Sequence, residues 1–218
     1  MLPAAASGVD AVGFLPDGRI IAADAQRRLR VFAPGGAALA DLEIPTRLAS
    51  LRIDGPRLVG VPYTTTAVPA PLVDLERYRV VARLEGQVGQ LLSARWVAAG
   101  QILTASTGGT AQLWDGSTGQ LLQTYRGGSR FLADATLLAN GLVVGGGADG
   151  LLRFWDKDNG SLLWALSAHT SAIYGVHAEG ADIVTRGMTG ELAHWRLPDP
   201  GQVIQACRDH ERCAIVLR

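Results

Sequence analysis

Residues 109–127 read GTAQLWDGSTGQLLQTYRG, and residues 150–168 read GLLRFWDKDNGSLLWALSA. In both, an apolar run ends in Trp-Asp, a Gly-bearing turn follows, and a second apolar run begins. Aligning the chain on the residue that ends the third apolar run of each unit gives the series Phe32, Val73, Trp114, Trp155 and Trp195, spaced 41, 41, 41 and 40 residues. Asp74, Asp115 and Asp156 follow three of these anchors, and Gly119 and Gly160 each lie five residues beyond their Trp. Self-similarity at a fixed period of this size is the mark of a repeat architecture.

Within a unit the apolar runs are short. The fourth unit reads RFLADATLL, turn ANG, LVVGG, turn GADG, LLRFWD, turn KDNG, SLLWALSA; the fifth reads AIYGVHA, EG, ADIVTR, GMTG, ELAHWRL, PDPG, QVIQAC. These are four strands per unit from runs of five to nine residues, bounded by Gly, Asn, Asp and Pro. No ten-residue stretch carries a 3.6 period. Four short strands about every 40 residues predict a β-propeller of four-stranded antiparallel blades. The expected blades cover residues 9–43, 44–85, 86–126, 127–168 and 169–206 of one domain, with 207–218 a tail or the start of a further strand. The 27 glycines are spread along the chain, as many tight turns require.

These residues resemble the WD-repeat β-propeller family. The resemblance is carried by Trp114-Asp115 and Trp155-Asp156, by the Asp149-Gly150 turn before a third strand, and by Ala168-His169 where the family has Gly-His. It spans residues 9–206 and is strongest in units three to five. Unit one has Phe32 in place of Trp. Unit two is degenerate: VPYTTTAVPAPLVD holds three prolines, which belong at strand edges or in a loop. The family implies a hydrogen-bonded set around each Trp, made of a second-strand Ser/Thr, a turn Asp and a His before the first strand. No unit here has all four. Unit five has His169, Thr185 and Trp195, with Thr189 where Asp belongs. Unit four has Asp149 and Trp155, with Gly145 and Gly127 in place of Thr and His. Unit three keeps Thr104 and Trp114. Apolar packing is therefore expected to do most of the holding, with Trp114, Trp155 and Trp195 largely buried between blades. The termini leave two arrangements open, five blades closing with a tail or a part of a larger ring.

The other motifs carry little chemistry. GGGADG (145–150) fits G-x-G-x-x-G but leads into a strand rather than a helix, so it reads as a hairpin and not a dinucleotide site. Cys207, His210 and Cys213 have two zinc-compatible spacings but lack a fourth ligand nearby; no metal is expected there. His169 reads as a packing residue, and His194 should face the side of its strand opposite Trp195. NGS (159–161) reads as a turn. The repeat TGQLLQTY and NGSLLWAL, with Trp164, also resembles quinoprotein-type propellers, which would imply a bound cofactor.

Lys plus Arg and Asp plus Glu balance at 20 each, so no general attraction to nucleic acid or to acidic membranes is expected. Apolar residues make up 48% and charged residues 18%, enough to build a core. The opening MLPAAASGVD has no basic n-region and no apolar stretch of useful length, no run approaches a membrane span, and two cysteines make no disulfide framework. A cytoplasmic chain of bacterial-type composition is the expectation. The leading function is a non-enzymatic protein-interaction scaffold without catalytic residues or cofactor. Its candidate face is formed by the loops entering the innermost strands, with Asp10, Arg47, Gln87, Arg126, Arg130, Thr170, Ser171 and Tyr174. Arg47, Arg126, Arg130, Thr170 and Tyr174 are the candidate partner contacts, and the recurring Arg suggests an acidic partner surface. Open strand edges at the ends of the array would favour self-association. Two alternatives stand beside this: a sensor module of a larger signalling protein such as a kinase or nucleotide-driven switch, and the quinoprotein-like cofactor propeller.

Overall fold

A computed structural model describes residues 8–127, 130–180 and 182–196. Five antiparallel sheets follow one another along the chain. Sheet one is β1 (Val9–Phe14), β2 (Ile20–Asp24), β3 (Arg28–Phe32) and β4 (Ala38–Glu43); sheet two is β5 (Leu48–Asp54), β6 (Arg57–Pro62), β7 (Ala70–Asp74) and β8 (Arg79–Leu84). Sheet three is β9 (Leu91–Val97), β10 (Gln101–Ser106), β11 (Ala111–Asp115) and β12 (Leu121–Tyr125); sheet four is β13 (Leu132–Leu137), β14 (Leu142–Gly147), β15 (Leu151–Asp156) and β16 (Leu162–Ser167). Sheet five is β17 (Ile173–Glu179), β18 (Asp182–Gly187) and β19 (Leu192–Arg196). Each sheet pairs its strands in chain order, as successive hairpins must. Among the described residues the one helical element is a single 3-10 turn, Ala98–Gly100. The fourth strand expected at QVIQAC and the Cys207, His210 and Cys213 group lie outside the described residues.

The first strands are innermost: β1 packs on β5, β5 on β9, β9 on β13 and β13 on β17. Each sheet therefore has a backward face, toward the preceding sheet, and a forward face. Four apolar layers fill the gaps. Ile21, Ala23, Leu29 and Val31 of sheet one meet Leu48, Leu51, Leu58 and Val73 of sheet two. Val59, Val61 and Leu72 meet Ala94, Ile102 and Trp114. Leu103, Leu113 and Tyr125 meet Leu132, Val143 and Trp155. Leu152, Phe154 and Trp164 meet Ile173, Val176 and Ile183. This is the repeat logic in which each unit buries its face on a neighbour. No comparable packing joins β17 to β1 among the described residues.

The five anchors all fall in equivalent places, at the third-strand end of a cross-strand row on the backward face. The rows are Phe14–Ile20–Phe32, Ile53–Leu58–Val73, Trp96–Ile102–Trp114, Leu137–Val143–Trp155 and Ala178–Ile183–Trp195. Trp114 and Trp155 are fully buried. Trp195 departs from the expectation and is only half-buried, because β19 is the outermost described strand of its sheet whereas β11 and β15 each have a fourth strand beyond them.

In sheets two, three and four the Asp after the anchor closes the turn to the fourth strand. The carboxylate of Asp115 accepts from the backbone N–H of Ser117 (2.7 Å) and of Thr118 (2.8 Å). Asp74 does the same for Glu76 and Arg77, and Asp156 for Asp158 and Asn159. Gly119 and Gly160 end these turns at φ 74°, a region open to glycine. The prolines of unit two sit where they cost little. Pro62 ends β6, Pro69 is in the 63–69 loop, and Pro71 lies on the part of β7 beyond the reach of its pairing with β6.

The Ser117 hydroxyl, with the two backbone N–H groups, holds the Asp115 carboxyl down at about 2. A carboxylate favoured by folding stabilises above its ordinary value near 3.8 and stops doing so as pH falls through about 2. Parent protein should therefore exceed Asp115→Asn in urea midpoint at neutral pH, and the gap should close between about pH 4 and pH 2. A gap that does not change with pH would show that the charge contributes nothing to the turn.

Candidate interaction face

The loops entering the first strands and the turns between second and third strands lie at one end of the sheets. At that end every first strand carries an irregularity at the same point. The pairing of first and second strands skips at Val9/Ala11, Leu48/Ser50, Leu132/Asp134 and Ile173/Gly175, and in sheet three Ser106 pairs with Leu91 while Ala105 pairs with Ser93. Each bulge releases one residue from the ladder: Asp10, Ala49, Leu92, Ala133 and Tyr174. A bulge re-aims the extra side chain and ends regular pairing. One residue from each of five units is thereby gathered around the mouth of the inner strands.

Two clefts open there and share Leu92. The larger, about 570 Å³, is walled by Ala49, Ser50, Val61, Tyr63, Thr65 and Gln90 among others. The second, about 400 Å³, is lined by Arg52, Ser93, Arg95, Ala133, Asp134 and Tyr174. Its floor is built. Arg95 donates to Asp134 Oδ2 (3.0 Å) and to the Val176 carbonyl (3.1 Å), and the Val176 N–H donates back to Asp134 (3.0 Å), tying three inner strands together.

Arg47 is engaged within the chain. Its guanidinium forks onto Asp10 with both contacts at 2.5 Å and lies 4.6 Å from the centre of the Tyr63 ring. The Arg47 hydrogen bond holds the Asp10 carboxyl below its ordinary value. Arg126, Arg130 and Thr170 are exposed. Tyr174 is exposed and packs its ring 5.8 Å from that of Phe131. Ser171 donates to Glu191 (2.5 Å) and accepts from the Met188 N–H, and the Gln87 amide donates to the Val68 carbonyl. The face thus presents Tyr63, Phe131, Tyr174 and Leu92 alongside Arg126 and Arg130. Sequence reasoning missed Tyr63, Leu92, Phe131, Arg52 and Arg95. The 63–69 loop is longer than the other turns at this end, which is the signal that marks Tyr63; the rest depend on the bulges.

The Trp-centred hydrogen bonds form in part. Trp114 Nε1–H donates to Thr104 Oγ1 (2.9 Å). In unit four, where Gly127 and Gly145 leave no side-chain partner, Trp155 Nε1–H donates to the Arg126 carbonyl (2.7 Å), and Asp149 pairs instead with Arg153. In unit five, Trp195 Nε1–H donates to Thr185 Oγ1 (2.9 Å), which lies 2.7 Å from His169 Nε2. Thr189 does not take the Asp place; Glu191 does, 3.4 Å from His169 Nδ1 and accepting from the Ser171 and Thr189 hydroxyls. The Ser171 hydroxyl, followed by that of Thr189, holds the Glu191 carboxyl down at about 2. Thr185, His169 and Glu191 stand in the order of nucleophile, base and carboxylate. Thr185 is nevertheless fully buried and its oxygen already receives the Trp195 N–H, so the set is a packing device out of reach of a substrate.

His177 and His194 lie away from this end on the forward face of sheet five, where both pair across to Val184; His194 is thus opposite Trp195 as expected. GGGADG closes the β14–β15 hairpin, and NGS is a turn in which the Ser161 N–H donates to Asn159. Trp164 stacks on Phe154 at 4.6 Å in the layer between sheets four and five. Among the described residues no three His, Cys, Asp or Glu gather as a metal site.

No family model matches the chain, and no curated protein matches it in sequence. Solved structures do. The C-terminal WD40 domain of Sif2 superposes with a TM-score of 0.71 at 18% identity, over 89% of this chain and 57% of that one. The computationally designed Ika8 protein superposes with a TM-score of 0.59 at 18% identity, over 90% of this chain and 73% of that one. The chain spans less than two thirds of the WD40 domain it matches. The fold is that of a WD40 β-propeller, all-β and built from five sheets of three or four antiparallel strands.

Proposed function

We propose that the protein is a non-enzymatic interaction scaffold whose partner is a protein docking on the face around the two clefts. The observation that supports this is the gathering of bulge residues from four of the five sheets, Ala49, Leu92, Ala133 and Tyr174, around adjoining clefts, rimmed by exposed Tyr63 and Tyr174. Exposed aromatic and Arg side chains on a rigid frame are the residue types that dominate binding energy when a partner buries them. Arg126 and Arg130, which pair with no carboxylate among the described residues, favour an acidic stretch on the partner. A WD40 domain as structural neighbour fits such a role.

The test is capture of partners from the native cell with two variants. Arg47, Arg126 and Arg130 to Glu should lose the partner through charge, and Tyr63→Ala with Tyr174→Ala should lose it through contact area; each is expected to reduce yield tenfold or more. Arg47→Glu also breaks the Asp10 pair, so the double variant Arg126→Glu with Arg130→Glu isolates the charge effect. Folded variants that all retain the same partners at parental yield would place the binding face elsewhere.

A further inference from the structure

The second cleft holds more hydrogen-bond donors than acceptors. Arg52 reaches it from β5, Ser93 and Arg95 from β9, Asp134 from β13 and Tyr174 from β17. Sheets two and three, which carry the two guanidinium groups, each have both neighbouring sheets within the described residues, so this wall is built by the array itself.

The acceptors are nearly used up. Asp134 Oδ1 accepts from the Ala135 N–H (2.9 Å), and Oδ2 accepts from Arg95 (3.0 Å) and from the Val176 N–H (3.0 Å). A carboxylate has about four acceptor sites, so little capacity is left. The donors are in the opposite state. Among the described residues Arg52 donates to the carbonyl of its own neighbour Leu51 (3.2 Å) and pairs with no carboxylate. The hydroxyls of Ser93 and Tyr174 have no partner among the described residues. Two guanidinium groups against one carboxylate also leave a surplus positive charge. Both imbalances call for an anionic ligand rich in acceptors.

We propose that this cleft takes one carboxylate, the side chain of an Asp or Glu on a protein partner, gripped between Arg52 and Arg95; this rests on the reading of the face as a protein-docking surface. The guanidinium fork matches the two oxygens of a carboxylate. A phosphate offers similar oxygens but brings a charge of about −1.5 to −2 beside Asp134, more than the cleft's single surplus charge balances. A protein is the source because the cleft continues into its neighbour. The two share Leu92, and the larger one is walled by Val61, Tyr63 and Thr65. About 400 Å³ accommodates an acidic side chain with the backbone that carries it, and the residues that follow can cross Leu92 into the second space. A small free acid would fill only the polar end.

Retention of blocked heptapeptides on the immobilised full chain tests this, with random flanks and one fixed central residue. The pool with central Glu should be retained about tenfold or more over the pool with central Gln. Arg52→Gln should abolish that preference, and Arg126→Glu with Arg130→Glu should keep it. Arg52→Gln removes no side-chain bond between strands, and an unchanged melting temperature checks its fold. A second readout needs no variant: the Glu pool should protect Arg52 of the parent from phenylglyoxal, and the Gln pool should not. Equal retention of the two pools, a preference that survives Arg52→Gln, a phosphoserine pool retained above the Glu pool, or displacement of the peptides by an equal concentration of glutarate would overturn the proposal. The peptides are read without the native partner, so loss of the carboxylate preference strikes this subsite alone. A partner still captured by Tyr63→Ala with Tyr174→Ala strikes the docking face instead.

Discussion

Replacing Trp114 or Trp155 with Ala is expected to lower stability by about 3–5 kcal/mol each, the range for emptying a buried aromatic site. Both indoles are fully buried, each lies in a layer shared by two sheets, and each N–H has a partner inside the fold. Truncation removes the contact on both sheets and leaves Thr104 or the Arg126 carbonyl without its donor. For a chain of this length the change corresponds to roughly 6–20 °C in melting temperature. Trp195→Ala is expected to cost less, since Trp195 is half-buried and packs at the edge of its layer. Thermal unfolding of the three variants checks the order. If Trp195→Ala proves the most damaging, the sheet-to-sheet layers are not what these residues support.

Gly150→Ala is expected to be the most harmful single-methyl addition. Gly150 sits at φ 71°, where an L residue costs about 1–2 kcal/mol. A Cβ there would also drive into the His169 carbonyl and stand 2.8 Å from the Ser171 carbonyl, both backbone atoms of the loop entering β17. The Gly150 carbonyl accepts from the N–H groups of Ala168 (3.0 Å) and His169 (3.1 Å), so the loop cannot move away without losing them. Overpacking adds about 1–3 kcal/mol, for a total of roughly 2–5 kcal/mol. Gly141 is the control: its φ is 84° and the space around it is open, so Gly141→Ala bears the backbone term alone. Chemical denaturation of both variants separates the two terms, and equal losses would mean that the β17 entry loop yields freely.

The repeat was legible because its signals are local. The anchor series Phe32, Val73, Trp114, Trp155 and Trp195 lands on one backward-face row per sheet, and the Asp and Gly that follow act within a few residues on their own turns. The face was legible only in outline. Arg126, Arg130, Thr170 and Tyr174 are exposed at the expected end. Arg47 is claimed by Asp10 from 37 residues away, and nothing in its own neighbourhood of sequence announces that pairing. Glu191, two residues beyond the place reserved for Asp, completes the His169 set because its longer side chain reaches back across the turn.

By itself the sequence determined the strands, the hairpin order, the turn chemistry and which side of each third strand is apolar. These depend on alternation, on glycine and proline, and on short side chains bonding their own backbone. Only the tertiary structure decided the rest. Bulges arise where two strands compete over register, so the residues they release appear only once both strands are paired. The clefts need side chains from neighbouring sheets. Local forces shape each unit, whereas contacts between units settle which of its surfaces stay exposed.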